Sequence, residues 1–490
     1  MPAARGFGWS AVGQYGTQPD MPGGTTLIGT VVAALGLVLS VWSAAHALLY
    51  KRKPQSALAW IAIAFAVPFL GVLLYYTFGI NRVRVRAKEL RFDQPELPCA
   101  TSHLASAPAG LEPLAQLGLA VTKLPLVSGN AVDALHNGDR AFPAMLEAIR
   151  AAHKRVFLST YIFDSGPVGQ EFAAALGEAA ARGVDVRVAI DGVGALYSWP
   201  GAHEMLERRG VRVARFLPPR LVPPSFSVNL RNHRKILAVD GQVAFTGGLN
   251  IREHYLVADP ASTKRIVDLH FRLAGPVVVQ IEAIFLRDWQ FMTGETDAVT
   301  RTADEAFGDA VCRAVADGPE EDTDRLTELL VGAIGKARER VAIMTPYFLP
   351  PRELIAPLAA AALQGVDVAV ILPARNNLPY VHRATRHMLW ELLQHDVRVY
   401  YQPPPFVHSK LFYTDRHYAQ IGSANLDPRS LRLNFEMNVE IYDQALVADL
   451  SAHFGAVRAR SLPVTLADVD GRPLATKLVD GAAWLFAPYL

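Results

Sequence analysis

Two long runs near the start of the chain contain no Asp, Glu, Lys or Arg. They are TTLIGTVVAALGLVLSVWSAAHALLY (residues 25–50) and QSALAWIAIAFAVPFLGVLLYYTFGI (residues 55–80). Each exceeds the roughly 20 apolar residues that a helix needs to cross a hydrocarbon core. Trp42, Tyr50, Trp60, Tyr75 and Tyr76 lie toward the ends of the runs, as interfacial aromatics do. Pro68 interrupts the second run, which a membrane helix tolerates where its neighbours re-satisfy the backbone. A cleaved signal peptide fits poorly. Its apolar stretch is shorter, its start is more basic than Arg5 alone, and no second span would follow directly. The pattern predicts a helical hairpin, with the N-terminus and the rest of the chain on one side of the membrane.

Beyond residue 130 the pattern changes to short β-branched runs, and these occur in pairs. RVFLSTYIF (155–163) echoes RVAIMTPYF (340–348), and GVDVRVAID (183–191) echoes GVDVAVILP (365–373). VRVARF (211–216) echoes VRVYYQ (397–402). Between the runs, GQEFAAALGEAAARG (169–183) and RELIAPLAAAALQG (352–365) have helical apolar spacing and end at glycine. Segments 276–292 and 444–457 read as helices that close each half. Strand–helix alternation predicts α/β layering, with helices covering a largely parallel sheet. The duplication predicts two tandem α/β/α halves packed as an intrachain pseudo-dimer. The expected organisation is an N-terminal tail (1–24), two transmembrane helices (25–80), a juxtamembrane arm and linker (81–130), a first half (131–295), and a second half with a C-terminal tail (296–490).

Composition adds little to this picture. The chain of 490 residues has room for more than one core, and its net charge of +2 gives no bulk attraction to a polyanion. The hydrophobic share of 51% reflects the hairpin. Cys99 and Cys312 are far apart, with no metal-type or redox-type neighbour, and read as ordinary thiols. Basic residues flank both ends of the second apolar run. Arg82, Arg84, Arg86 and Lys88 narrowly outweigh Lys51, Arg52 and Lys53, so the positive-inside rule puts the large C-terminal part on the cytoplasmic side.

Candidate chemistry sits in NHRKILAVDGQVAFTGGLN (232–250) and VHSKLFYTDRHYAQIGSAN (407–425). His233, Lys235, Asp240, Gly248 and Asn250 match His408, Lys410, Asp415, Ser423 and Asn425 at one spacing. If Asp240-Gly241 is a two-residue hairpin turn, His233 faces Gly248 and has Asn250 on its diagonal. A turn at Asp415-Arg416 likewise sets His408 opposite Ser423, with Asn425 on its diagonal. Lys235 and Lys410 share the histidine faces, and Gly248 or Ser423 leaves room for a bulky group. Asp240 and Asp415 are then turn residues that point away from the site. Lysine and asparagine donate to an anion's oxygens, and histidine serves as nucleophile or general acid–base. Two such sets at one centre suit phosphoryl transfer through a phospho-histidine, with no metal or cofactor. Asp268 and Glu436 are candidates to fix the histidine tautomers, the alternative being solvated strand charges. Tyr161 and Tyr347 fit either pocket or core. Arg231 and Arg429 could hold a second phosphate or form salt bridges. Trp484, Phe486 and Tyr489 suit a membrane interface or simple packing.

Both stretches resemble the paired HxKxxxxDxxxxxxGxxN motifs of the phospholipase D superfamily. Within it, RNHRK, GGLNIREHY, TPYFLP, GSANLDPRSLRLNFEMN and GRPLATKLVDGAAWLFAPYL resemble blocks of the bacterial cardiolipin synthases. The resemblance covers most of the chain, and residues 90–126 and 296–322 stand outside it. It implies an inner-membrane phosphatidyltransferase that joins two phosphatidylglycerol molecules into cardiolipin and releases glycerol. It counts both His-Lys-Asp sets as catalytic and favours His233 as nucleophile and His408 as general acid. The partners it implies are phosphatidylglycerol and membrane lipids, not nucleic acid, and a homodimer is compatible with it. Water or phosphatidylethanolamine remain alternative reactants on the same machinery. A nuclease reading expects a basic groove and no anchor, and a binding protein expects an eroded motif.

Overall fold

The structure, a computed structural model, describes residues 23–51, 54–80, 103–219, 230–258, 264–296, 305–318 and 324–487. The basic segment at 82–88, Arg52, Lys53, Cys99 and Tyr489 lie outside the described residues. The chain divides into two compact units, Met1–Arg82 and Val83–Leu490.

In the first unit one uninterrupted helix, Gly23–Tyr50, contains the span Leu27–Tyr50, long and apolar enough to cross a membrane. The second apolar run, where a span interrupted at Pro68 is expected, forms two short helices, Pro54–Ala66 and Pro68–Leu74, followed by a π-turn at Tyr75–Gly79. The break falls at Val67 (φ −137°, ψ 77°), because Pro68 clashes with a helical residue before it and offers no N–H. The arms pack on each other: Ser40 Oγ donates to Ala64 O at 2.6 Å, and Trp42 stacks on Tyr76 at 5.3 Å. Leu27, Ile28, Leu35 and Leu49 face outward.

The second unit is built on strands β1 (Val127–His136), β2 (Arg155–Thr160), β3 (Asp185–Asp191), β4 (Arg212–Phe216), β5 (Ile236–Val239), β6 (Val243–Gly247), β7 (Ile266–Val267) and β8 (Leu269–Ala274). A second set follows: β9 (Ala310–Asp317), β10 (Arg340–Met344), β11 (Asp367–Pro373), β12 (Arg398–Gln402), β13 (Phe406–Val407), β14 (Leu411–Thr414), β15 (Tyr418–Gly422), β16 (Glu436–Tyr442) and β17 (Leu462–Val464). Fifteen of them form one sheet in the order β17-β12-β11-β10-β14-β15-β16-β9-β1-β8-β6-β5-β2-β3-β4. Read outward from the antiparallel β1–β9 seam, the two halves follow the same path, and β17 is an extra edge.

The sheet is mixed, not largely parallel. Only the runs β2–β3–β4 and β10–β11–β12 pair in parallel. Helix crossovers make those runs, and the remaining strands return through hairpins. Where helices cover both faces, strands such as β3 and β11 are buried almost throughout. Helices Asn137–Ala151 and Pro167–Ala181 cover one face of the first half, and Arg325–Lys336, Arg352–Leu363 and Pro379–Leu393 cover that of the second. On the opposite face Val277–Thr293 and Gln444–Ala459 share one core that runs under both halves.

The stretch read as linker carries a helix, Glu112–Thr122. A proline starts it, and Leu114, Leu117 and Val121 supply an apolar face against the second half's core. Arg313 anchors it by donating from Nη1 to Ala115 O at 3.1 Å.

Candidate active site

The motif hairpins are one residue wider than a two-residue turn allows. Ile236 pairs with Thr246 and Val239 with Val243, so Asp240, Gly241 and Gln242 make the loop. In the second copy Leu411 pairs with Ile421 and Thr414 with Tyr418. Asp240 (φ 53°) and Asp415 (φ 50°) both take the left-handed conformation that the wider turn requires. The expected facings of His233 on Gly248 and His408 on Ser423 are therefore incorrect, and both histidines precede their strands. The two aspartates grip the backbone at the start of β2 and β10. Asp240 accepts from His153, Lys154 and Arg155 N–H, all at 2.8 Å. Asp415 does the same for Arg338, Glu339 and Arg340.

Each histidine segment pairs with the other half. Asn232 bridges to Phe435 in parallel, and His233 N donates to Phe435 O at 2.9 Å. β13 pairs in parallel with β7, and His408 N donates to Val267 O at 2.8 Å. This backbone exchange puts each carboxylate beside the opposite histidine. His233 Nδ1 lies 2.9 Å from Glu436 Oε1, and His408 Nδ1 lies 2.8 Å from Asp268 Oδ2. Both carboxylates are fully buried.

Gly248 and Ser423 serve these carboxylates and do not make room for substrate. A Cβ on Gly248 would come within 2.3 Å of both Asp268 oxygens, so only glycine lets the carboxylate in. At the matching place Ser423 Oγ donates to Glu436 Oε2 at 2.6 Å. Lys235 Nζ and Lys410 Nζ each donate to the carbonyl of their own histidine at 2.7 Å. Lys410 Nζ also lies within 3.1 Å of both ring nitrogens of His408, hence over the ring. Asn250 is held by Ile162 N–H and Tyr255 OH, each at 3.2 Å. Asn425 donates to Ser430 Oγ at 3.2 Å.

The two histidines and two asparagines line one cavity of about 520 Å³. Tyr161 and Tyr347 also line it and pack edge-on against His233 (5.4 Å) and His408 (6.3 Å). Burial dominates the titration of these groups. It lowers His233 to about 4, aided by Lys235 and opposed by Glu436, and it lowers His408 well below its usual value. Lys235 is brought down to about 7 and Lys410 to about 8, burial outweighing the nearby carboxylates. Asp268 is pushed up to about 7 by burial. Burial acts on Glu436 in the same sense, but His233, Lys235 and the Ser423 hydroxyl hold it below the usual glutamate value.

Such a set can attack a phosphodiester, protonate its leaving group and neutralise its oxygens. Among the described residues no cluster of His, Cys, Asp and Glu could hold a metal ion. Arg234 was missed in the sequence. Its buried side chain crosses the seam to Glu436 O (3.0 Å) and Asp317 O (3.1 Å) and pairs with Asp288 of its own half. The one signal was its place inside the first HxK, where the second copy has Ser409.

Residues 145–289 and 330–458 match the family described as "Cardiolipin synthase, PLD-like domain", and residues 38–79 match "Phospholipase_D-nuclease N-terminal". A cardiolipin synthase of Geobacillus thermodenitrificans is 32% identical over 95% of this chain and 93% of its own. A cardiolipin synthase A of Pseudomonas aeruginosa is 33% identical over 94% of this chain and 95% of its own. The crystal structure of phosphatidylserine synthase from Haemophilus influenzae superposes with a TM-score of 0.60 at 16% identity. It covers 77% of this chain and 100% of that one, which speaks to the fold alone.

Proposed function

Because the chain belongs to the cardiolipin synthase, PLD-like domain family of phospholipase D-type phospholipid transferases, we propose that it makes cardiolipin from two phosphatidylglycerol molecules and releases glycerol. The reciprocal exchange of carboxylates across the seam carries this reading, since it builds one site from two His-carboxylate pairs.

His233 is the proposed nucleophile. Ionised Glu436 takes its Nδ1–H, which leaves the Nε2 lone pair free to attack phosphorus. The P–O bond to glycerol breaks as the P–N bond forms. His408 donates a proton to the departing alkoxide, and Asp268, whose raised value keeps a proton on this pair near neutrality, supports that role. Lys235, Lys410, Asn250 and Asn425 surround the phosphoryl oxygens. The terminal hydroxyl of a second phosphatidylglycerol then gives its proton back to His408 and attacks phosphorus, and the P–N bond breaks. The apolar N-terminal helices keep the protein on its lipid substrate, and the basic excess at residues 82–88 supports a cytoplasmic catalytic portion.

The test is turnover in phosphatidylglycerol vesicles, with products resolved by mass, for wild type, His233→Ala and His408→Ala. Wild type should yield cardiolipin and glycerol, and both variants should lose at least a thousandfold. With a nitrophenyl phosphodiester, whose leaving group needs no proton, His408→Ala should still show a burst and His233→Ala none. Phosphatidic acid as the sole wild-type product would point to a hydrolase. Normal activity in either variant would sink the site.

A further inference from the structure

The two walls of the cavity break the internal symmetry. At the same offset beyond Asn250 and Asn425 stand His254 and Arg429, then Tyr255 and Ser430. At the same offset before Asp268 and Glu436 stand Ile266 and Asn434. At these places Tyr255 and Ile266 line the first half's side of the cavity, and Arg429, Ser430 and Asn434 line the second half's, beside Asp427. The first half also brings Arg231 and Arg252 to the lining, but each is held by a carboxylate of its own half, Arg252 Nε lying 3.3 Å from Asp164 Oδ2.

The two arginines that flank the motifs also part company. Arg231 is committed to structure: its Nη1 meets Asp191 Oδ1 at 3.3 Å and Leu217 O at 3.2 Å. The Arg429 guanidinium makes no hydrogen bond or ion pair among the described residues. Its close neighbour Asp427 is engaged with the backbone N–H groups of Arg429 and Ser430. Arg429 nevertheless lines the cavity, and its charge reaches Tyr161 on the opposite wall: burial pushes Tyr161 up to about 12 against the pull of Arg429 and Arg231.

Asn434 supplies an oriented acceptor. Its Nδ2 donates to Glu436 Oε1 at 3.2 Å, and a carboxylate cannot be faced by the amide oxygen. Asn434 Oδ1 is therefore fixed on the other side, buried and without a partner among the described residues. Buried acceptors of this kind are normally satisfied, and Asn434 lines the cavity, as does Asn425, whose Oδ1 is likewise unpartnered among the described residues. A cation and a hydroxyl acceptor on one wall match a phosphodiester next to a polyol.

We propose that Arg429 and Asn434 form the subsite for the acceptor lipid's head group, Arg429 taking its phosphodiester and Asn434 Oδ1 a glycerol hydroxyl. The subsite rests on the transferase reading and deepens it. It selects a phosphate-bearing alcohol over water or a simple alcohol, because only the lipid acceptor carries a second phosphate one glycerol away from the reacting hydroxyl.

The experiment compares wild type, Arg429→Gln and Arg429→Lys in phosphatidylglycerol vesicles containing ethanol, with cardiolipin and phosphatidylethanol measured together. In Arg429→Gln, cardiolipin formation should fall at least tenfold through the acceptor KM, while phosphatidylethanol forms within twofold of wild type. Arg429→Lys should recover part of the loss. Retained transfer to ethanol also shows that the variant is folded. A parallel loss of both products, or no loss of cardiolipin, would overturn the subsite while leaving the transferase intact. A wild type that makes phosphatidylethanol but no cardiolipin would instead overturn the parent reading, and the subsite with it.

Discussion

Individual side chains set the pH range of this chemistry. Lys235 (about 7), Lys410 (about 8) and Asp268 (about 7) all lose a proton between neutrality and mild alkali. On the proposed mechanism each loss works against transfer: the lysines would stop attracting phosphoryl oxygens, and the His408–Asp268 pair would give up the proton that the leaving alkoxide needs. At the other end His233, the proposed nucleophile, stays unprotonated down to about 4. The expected kcat/KM profile for the free enzyme is thus broad on the acid side and falls from about pH 7 to 8 upward. A profile still rising at pH 9 would contradict these protonation states. The residue types behind this behaviour stand plainly in the sequence, since histidine and lysine recur at one spacing. Their pairing does not. Asp268 and Glu436 are visible as acidic residues in apolar strands, but spacing along a chain says nothing about which half lends its carboxylate to which histidine. The parallel pairing of Val407 with Val267, and the bridge from Asn232 to Phe435, decide it.

At the scale of elements, the repeated strands and helices were legible because their patterns occur twice, and the hairpin register was not. Asp-Gly is a strong two-residue turn signal. Here the loop takes in Gln242 as well, because Asp240 in the left-handed conformation turns its carboxylate onto three backbone N–H groups that begin β2. The contact is long in sequence, so no local signal announces it. The same grip recurs at Asp415. These aspartates therefore hold the frame that carries the histidines, and we propose that their role is structural. Asp240→Asn should cost about 1.5–3 kcal/mol from the lost charge-assisted bonds. It should lower the melting temperature by a few degrees while kcat stays within about tenfold of wild type. Loss of turnover at an unchanged melting temperature would instead place Asp240 in the chemistry. Pro68 teaches a related lesson. Composition marks the second apolar run as a full span, but the proline divides it into two helices.

At the scale of the whole catalytic unit, duplication matters because neither half is complete. The seam holds a β1–β9 ladder, a shared core beneath both halves, and the exchanged carboxylates. Arg234 ties these together. It leaves the first motif, crosses to the backbone of Glu436 and Asp317, and pairs with Asp288, itself held by Asn232. Breaking a buried pair from one side strands a charge, at about 3–5 kcal/mol. Arg234→Ala should therefore destabilise the unit strongly and also displace Glu436, removing the group that orients His233. Arg234→Ala with Asp288→Ala removes both charges and should recover much of the stability. Activity should stay low in the double variant, because Glu436 O still lacks its partner. Calorimetry in detergent should show a single transition for both halves in wild type and in the double variant, since one core spans them. Two separated transitions in wild type would mean that the halves fold as independent domains, and the seam would then be a docking surface that could be opened without unfolding either side.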